Sequence, residues 1–149
     1  MHYTTFVVKY FEVIQMCLFC EMAEGKIPHF KVYEDDSFLA FLDISPISEG
    51  HTILIPKKHY DNFMMLPFSV NQKLNETIQK VLELLKTKLN FKGANVLTNI
   101  GEISGQSVFH CHIHIIPRYT KEELIFSRKT DPNPHPLDEI KKVHEKLTK

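Results

Sequence analysis

Three histidines spaced two residues apart, His110, His112 and His114, are the side chains of this sequence best suited to chemistry. They stand in an apolar run rich in β-branched residues, which predicts a strand over 107–118. Strand side chains alternate between faces, so the three imidazoles should share one face while Cys111 points to the other. Imidazole titrates near neutral pH, can act as a nucleophile or acid–base catalyst, and ligates metals. Three buried imidazoles would each need a hydrogen-bond partner, so the row predicts function rather than core packing.

Two kinds of chemistry suit such a row of histidines. The row could bind a catalytic zinc ion, or a neutral histidine could attack an electrophilic phosphorus atom. No Asp or Glu lies within the row to act as the general base that zinc-activated water usually requires. Small residues, amides and a hydroxyl precede the row and could donate to phosphate oxygens: Asn99, Gly101, Gly105, Gln106 and Ser107. These surroundings favour attack on phosphorus.

A second candidate site is the pair Cys17 and Cys20. A Cys-x-x-Cys pair alone is a weak signal, and two buried thiols are an ordinary alternative. The third cysteine, Cys111, makes the number odd, and residues 1–15 are typical of neither a signal peptide nor a membrane anchor. We therefore expect metal or redox use of the pair rather than a disulfide framework.

The composition favours one globular domain without a general affinity for nucleic acid or membranes. The chain has 149 residues, 43% of them hydrophobic, and its 18 Lys and Arg balance its 18 Asp and Glu. A chain of this length can bury its own core, and zero net charge predicts no broad positive field. Its longest apolar runs are too short to span a bilayer. We expect a cytoplasmic protein in which local donors would hold any phosphate.

The segments around the histidine row predict the elements that position it. Short apolar runs predict five strands, at residues 31–34, 38–42, 52–55, 94–98 and 107–118. Asp35–Ser37 has the composition of a hairpin turn, and Pro56 should end the third strand. A long helix is predicted over 69–90, where Ser69 and Gln72 form a capping-box pattern ahead of an apolar stripe.

The long helix should be followed by a left-handed turn at Gly93. Beyond Tyr119 the tail is broken by three prolines and then weakly helical over 137–147. Strands joined by hairpins around one long helix predict an α+β domain with a mainly antiparallel sheet.

The patterned domain is expected to cover residues 17–149 as a single unit. Residues 1–16 form an N-terminal extension whose pattern fits poorly with that of this domain. Either Met16 is the natural start, which we slightly favour, or the extension is a genuine additional strand or helix.

Five segments of the chain occur in an order known from one protein family. They are Phe41–Pro46, Gly50–Thr52, Ile55–His59, Gly105–Val108 and His110–Ile116. The last resembles the signature of the histidine triad family, His-x-His-x-His followed by two apolar residues, and the resemblance covers nearly all of 17–119. It implies a five-stranded sheet with one long helix and a short C-terminal helix, in a homodimer that shares one continuous sheet. Proteins of this kind are nucleotide hydrolases and transferases acting at the α-phosphate.

The resemblance also implies roles for individual residues. His112 would be the nucleophile that forms a nucleotidyl-histidine, and His51 and His114 would position it and contact the phosphate. The expected phosphate contacts are Asn99, Gly105, Gln106 and Ser107, with Ser107 assisting the leaving atom. Asp43 would accept from the ribose hydroxyls, although an Asx-turn before Ser45 and Pro46 is an equal alternative without the resemblance. The base pocket would consist of Leu18, Phe19, Met22, Ile27, Phe41, Ile44 and Ile53.

The resemblance to microbial members implies a structural zinc ion bound by Cys17, Cys20, His59 and His110. The implied substrate is a purine nucleotide, either a phosphoramidate or a dinucleoside polyphosphate. Two other functions stay open: a nucleotide-binding or scaffold protein with little turnover, and a hydrolase in which zinc does the chemistry.

Overall fold

The computed structural model describes residues 16–121 and 137–148. Its sheet has five strands: β1 (Lys31–Glu34), β2 (Phe38–Leu42), β3 (Thr52–Pro56), β4 (Gly93–Leu97) and β5 (Ile113–Arg118). Their spatial order is β1-β2-β3-β5-β4, and each neighbouring pair is antiparallel. The helices are α1 (Leu18–Ala23), α2 (Phe68–Leu89) and α3 (Leu137–Thr148). The predicted α+β class, antiparallel sheet, long helix and C-terminal helix are confirmed.

The two faces of the sheet bury different clusters, because successive strand residues point in opposite directions. One cluster, which includes α2, contains Phe38, Ala40, Leu54, Leu74, Val81, Leu85, Phe91, Ile113 and Ile115. The other contains Leu39, Phe41, Ile53 and Ile55, and Phe19 of α1 packs into it. In β5, residues 113 and 115 belong to the α2 side, so His114 between them lies on the α1 side. The alternation of the strands therefore directs His114 away from the main core.

The ends of α2 differ from the sequence-based expectation. The helix begins at Phe68 after Pro67, and no side chain caps it, so the predicted capping box of Ser69 and Gln72 does not form. At the other end Asn90, with φ 50°, takes the left-handed conformation that was expected of Gly93. Asparagine tolerates this conformation better than other non-glycine residues, and the helix can therefore end at Leu89, one residue before the predicted end.

The fifth strand is shorter than predicted, because it begins at Ile113 rather than at residue 107. The backbone N–H of Cys111 donates to the carbonyl of Tyr60 at 2.6 Å, and Thr98 Oγ1 donates to the carbonyl of His112 at 2.8 Å. These bonds replace the regular ladder before Ile113. His110 and His112 therefore lie in an irregular segment, yet the ring centroids of His112 and His114 are 5.0 Å apart.

The chain divides into two compact units, the first ending at Tyr119 and the second beginning at Thr120. Helix α3 belongs to the second unit. The N-terminal extension before Met16 and the proline-broken part of the tail lie outside the described residues, so the single domain over 17–149 stays a prediction. Among the described helices, none combines the length and apolar character needed to cross a bilayer.

Candidate active site

The histidine row opens into a cavity of about 430 Å³. This volume falls in the range of small-molecule sites, which typically combine apolar walls with a few polar groups. Helix α1, strands β2 and β3 and the loop between these strands supply an apolar wall that includes Leu18, Phe19, Met22, Phe41, Ile44 and Ile53. Asp43, Asn99, Gly105, Ser107, His112 and His114 also line the cavity. The arrangement places an apolar slot next to a cluster of polar groups.

The His112 ring is fixed by one hydrogen bond and one ring contact. Its Nδ1 lies 2.7 Å from the carbonyl oxygen of His110, and a carbonyl can only accept, so Nδ1 carries the proton. In the neutral ring Nε2 then holds a lone pair. Phe19 packs edge-on against the ring at 5.3 Å between centroids, and only 5% of His112 is exposed. The ring is therefore held as a base or nucleophile whose residue lines the cavity.

A chain of hydrogen bonds sets the protonation of His114. The backbone N–H of Ile47 donates to Nδ1 of His51 at 3.1 Å, so the proton of the neutral His51 ring is on Nε2. That Nε2 lies 2.9 Å from Nδ1 of His114, which must accept. In neutral His114 the proton is therefore on Nε2. Because His51 occupies Nδ1, this Nε2–H group can donate to a ligand. The ring centroid of His114 lies 5.0 Å from that of His112.

His51 and His114 both favour the neutral form. Burial lowers the pKa of His114 to about 4, and repulsion from His112 and His51 adds to the effect. Burial also lowers the pKa of His51, although the Asp43 carboxylate opposes the shift. The donor and acceptor roles assigned above therefore hold at neutral pH.

Asp43 uses its two carboxylate oxygens differently. Oδ1 accepts from the backbone N–H of Ser45 at 2.8 Å, which is the Asx-turn considered as an alternative from the sequence. Oδ2 lies 3.7 Å from Nε2 of His51. Because Asp43 also lines the cavity, the Asx-turn and a ligand contact are compatible.

Gln106 does not lie where the sequence predicted it. Its side chain is 2% exposed, does not line the cavity, and bonds to backbone groups rather than offering donors to a phosphate. Nε2 donates to the carbonyls of Asp61 at 2.6 Å and Val108 at 3.1 Å, and Oε1 accepts from the N–H of Gly101 at 2.8 Å. Gln106 therefore holds its loop in place, while its neighbours Gly105 and Ser107 border the cavity.

Several residues of the cavity escaped the sequence analysis. They are Pro28, His29, Phe30, Leu42, Ile47, Leu97, Val108 and Ile116. Ile116 continues the period of the histidine row and could have been found by it. The others come from loops and from strands whose pairing the sequence does not show. Ile27, which was expected in the apolar slot, is not among the cavity residues. His51 does not line the cavity, but it is bonded to His114 and Ile47, which do.

Cys17, Cys20, His59 and His110 meet in a second cluster that could hold a metal ion. Their four ligand atoms all lie within 4.8 Å of one another. The Sγ of Cys17 is 3.4 Å from Nδ1 of His110, and the Sγ of Cys20 is 3.4 Å from Nδ1 of His59 and 3.5 Å from Nδ1 of His110. Tetrahedral zinc with ordinary Zn–S and Zn–N bonds needs S···N separations of about 3.6 Å. The donor set and its spacing fit such an ion.

Each histidine of this cluster has an outer partner that orients it. Nε2 of His110 donates to the carbonyl of Pro56 at 2.7 Å, and Nε2 of His59 lies 2.9 Å from Oδ1 of Asp61. Both rings therefore turn Nδ1 towards the cysteines, as metal-binding histidines do when the other nitrogen is occupied. Asp61 was missed by the sequence analysis, because nothing in the sequence marks it as the partner of His59. Cys111 is buried and does not belong to the cluster.

Comparison with known proteins gives consistent results. Residues 24–121 match the model of the HIT domain. A HIT-like protein of Methanocaldococcus jannaschii is 48% identical over 104 residues, which are 70% of this chain and 80% of that protein. An adenosine 5'-monophosphoramidase of Candida albicans is 36% identical over 141 residues, 88% of each chain. The crystal structure of a Zn-bound histidine triad family protein from Mycobacterium smegmatis superposes with a TM-score of 0.69 at 34% identity, covering 77% of this chain and 84% of that one.

Proposed function

Because this chain belongs to the HIT family, we propose that it is a nucleotide hydrolase or transferase that acts at the α-phosphate. The observation that carries the proposal is the orientation of His112. Its Nδ1–H is held by the carbonyl of His110 at 2.7 Å, which leaves the Nε2 lone pair for attack. A protein that only binds nucleotides would not need this preparation of the ring.

The proposed reaction has two displacements at phosphorus. The Nε2 lone pair of His112 forms a bond to the α-phosphorus, and the bond from phosphorus to the leaving nitrogen or oxygen breaks with its electron pair. Water then attacks the nucleotidyl-histidine, and the phosphorus–nitrogen bond returns its electrons to the ring. Overall, water supplies OH to phosphorus and its other hydrogen to the leaving group. The products are a nucleoside monophosphate and the free amine or phosphate chain.

The remaining polar groups stabilise this reaction without carrying charge. The Nε2–H of His114 is proposed to donate to a phosphoryl oxygen, because His51 holds that tautomer through the 2.9 Å bond. Asn99 and the backbone around Gly105 would donate to the other oxygens, and the exposed hydroxyl of Ser107 would contact the leaving atom. Preorganised donors of this kind contribute about 3–4 kcal/mol each to transition-state stabilisation.

The proposed substrate is a purine nucleoside phosphoramidate or a dinucleoside polyphosphate. The apolar slot formed by Leu18, Phe19, Phe41, Ile44 and Ile53 suits a flat base, and Asp43 would accept from the ribose hydroxyls. The relative from Candida albicans, an adenosine 5'-monophosphoramidase, supports the phosphoramidate.

We also propose that Cys17, Cys20, His59 and His110 bind a structural zinc ion. Two sulfur and two nitrogen ligands close a tetrahedral shell and leave no position for a catalytic water. Zinc would join α1 to the histidine row and add to folding stability. Support comes from the spacing of the four ligand atoms and from the Zn-bound relative of Mycobacterium smegmatis.

The homodimer expected from the sequence is likewise proposed. Among residues 16–121 and 137–148, strand β4 ends the order of the sheet, and its outer edge could pair with another chain. Val96 in this strand is 43% exposed. Light scattering coupled to size-exclusion chromatography is expected to give twice the mass of the chain, and a monomeric mass would contradict the proposal.

Incubation with an adenosine phosphoramidate tests the proposed function. Release of adenosine monophosphate is expected from the intact protein, and a loss of about 10³-fold or more in His112→Ala, because the attacking nitrogen is then absent. Release that survives this substitution would refute nucleophilic catalysis by His112. Activity that disappears on chelation while the protein stays folded would favour zinc chemistry instead.

A further inference from the structure

We propose that Gln106 is a positioning residue that couples the metal cluster to the loop bordering the cavity. The inference rests on the proposed function, because it concerns how that loop is held for a nucleotide. It assigns to Gln106 a role different from the phosphate contact expected from the sequence.

Two chain segments meet beside the metal cluster, and each carries one of its histidines. The first, 56–61, carries His59, and the second, 106–112, carries His110. Nε2 of His110 donates to the carbonyl of Pro56 at 2.7 Å, and the N–H of Cys111 donates to the carbonyl of Tyr60 at 2.6 Å. These two hydrogen bonds therefore hold the segments together at the metal cluster.

Gln106 extends this connection into the loop 99–107. Its side-chain Nε2 donates to the carbonyl of Asp61 at 2.6 Å, and its Oε1 accepts from the N–H of Gly101 at 2.8 Å. The second Nε2 proton goes to Val108, and the backbone N–H of Gln106 donates to the carbonyl of Gly101 at 3.2 Å. Each end of the amide thus holds a different part of the structure.

Burial makes this amide a stiff link rather than an incidental contact. Gln106 is 2% exposed, and breaking one of its bonds would leave a buried polar group unpaired. Asp61, whose carbonyl Gln106 holds, also contacts His59 of the metal cluster through its carboxylate at 2.9 Å. Ordering of 56–61 by a bound metal is therefore transmitted to Gly105 and Ser107 on either side of Gln106. By linkage, the metal and the nucleotide should strengthen each other's binding by the same factor.

The test uses the full chain, with Zn²⁺ and adenosine monophosphate as probes. The affinity for adenosine monophosphate is measured by calorimetry with and without Zn²⁺, and the affinity for Zn²⁺ by chelator competition with and without the nucleotide. The wild-type protein is expected to show the same enhancement, about 10-fold, in both measurements. Gln106→Met keeps the length of the side chain but none of its hydrogen bonds. In this variant, the enhancement of either affinity by the other ligand should fall to about twofold or less. The matched control is Gln79→Met, at an exposed position of α2, and it should keep the wild-type factor.

Amide hydrogen exchange is a second test, which needs neither the Gln106→Met variant nor the nucleotide. Zn²⁺ is expected to slow exchange of the wild-type amides of Gly101 and Cys111, since both donate within the linked segments. Equal exchange with and without Zn²⁺, or a coupling factor that Gln106→Met leaves unchanged, would overturn the proposal. Absence of nucleotide binding in every form would instead count against the proposed function, and the exchange result would still decide the coupling.

Discussion

Replacement of His51 by alanine is expected to lower turnover by releasing the His114 tautomer. His51 accepts from Ile47 at 3.1 Å and is bonded to Nδ1 of His114 at 2.9 Å. Without it, Nδ1 of His114 can take the proton, and Nε2 then loses the N–H proposed to face the phosphate. A neutral hydrogen bond contributes about 1 kcal/mol, which corresponds to a roughly fivefold change in tautomer population. Complete loss of such a donor costs about 10² to 10³ in kcat.

We therefore expect kcat to fall by about fivefold from the tautomer shift alone, and by no more than about 100-fold if the donor is lost, in His51→Ala, with a much smaller change in KM, because the bond matters most in the transition state. His51→Gln, whose amide can accept from Ile47 and donate to His114, should recover most of the activity. The assay is steady-state release of adenosine monophosphate from a phosphoramidate, with ¹⁵N chemical shifts of His114 reporting its tautomer.

Because His51 is only 2% exposed, His51→Ala is also expected to be less stable, so its activity is measured where urea unfolding shows it fully folded. A kcat within twofold of the wild type, or an unchanged His114 tautomer in His51→Ala, would refute the reasoning.

Three further predictions rest on individual contacts. The pKa of His114 is about 4 in the folded protein and about 6.5 when unfolded, so its contribution to stability is complete above about pH 6.5 and is lost as the pH falls towards 4. After allowance for partial exposure, this contribution is about 1–2 kcal/mol. Between about pH 7 and 4.5, the free energy of urea unfolding of the wild type should therefore fall by about 1–2 kcal/mol more than that of His114→Gln. Asp61→Ala should weaken zinc binding about 10-fold in chelator competition by freeing His59, and an equal effect of the exposed-site control Asp36→Ala would contradict this. Gly50→Ala should lower the free energy of unfolding by about 1–3 kcal/mol, since φ is +82° and the added Cβ meets Leu89. Gly25→Ala, with φ +73° and open space around the added Cβ, should lower it less. The reverse order in urea unfolding would count against the packing argument.

The sheet and its faces could be predicted because they depend on local patterns. Alternation of apolar residues located β1, β2 and β3 closely, although it did not show which face of the sheet α2 covers. Residues such as Asn90 and Pro67 were harder, because several residue types can end or begin a helix and tertiary context decides among them. Helix α1 was not predicted, since six residues are too few to show a helical period.

The histidines of the candidate site were found from the sequence, but their relations were not. Spacing brought His110, His112 and His114 together, and motif order added His51 and His59. The bonds from Gln106 to Asp61 and from His59 to Asp61 join residues whose proximity only the folded chain produces. The residue type of Gln106 suits a phosphate contact, and only the folded chain shows that its side-chain amide is buried and bonded to backbone groups.

The most direct test of the central claim is the capture of the covalent intermediate. The intact protein is mixed with an adenosine phosphoramidate, quenched with base within milliseconds to seconds, digested and analysed by mass spectrometry. We predict an adenylyl group on the peptide containing His112, formed and lost at rates compatible with turnover and absent from His112→Ala. Rapid turnover without any adduct on His112, or an adduct on another residue, would contradict the proposed mechanism.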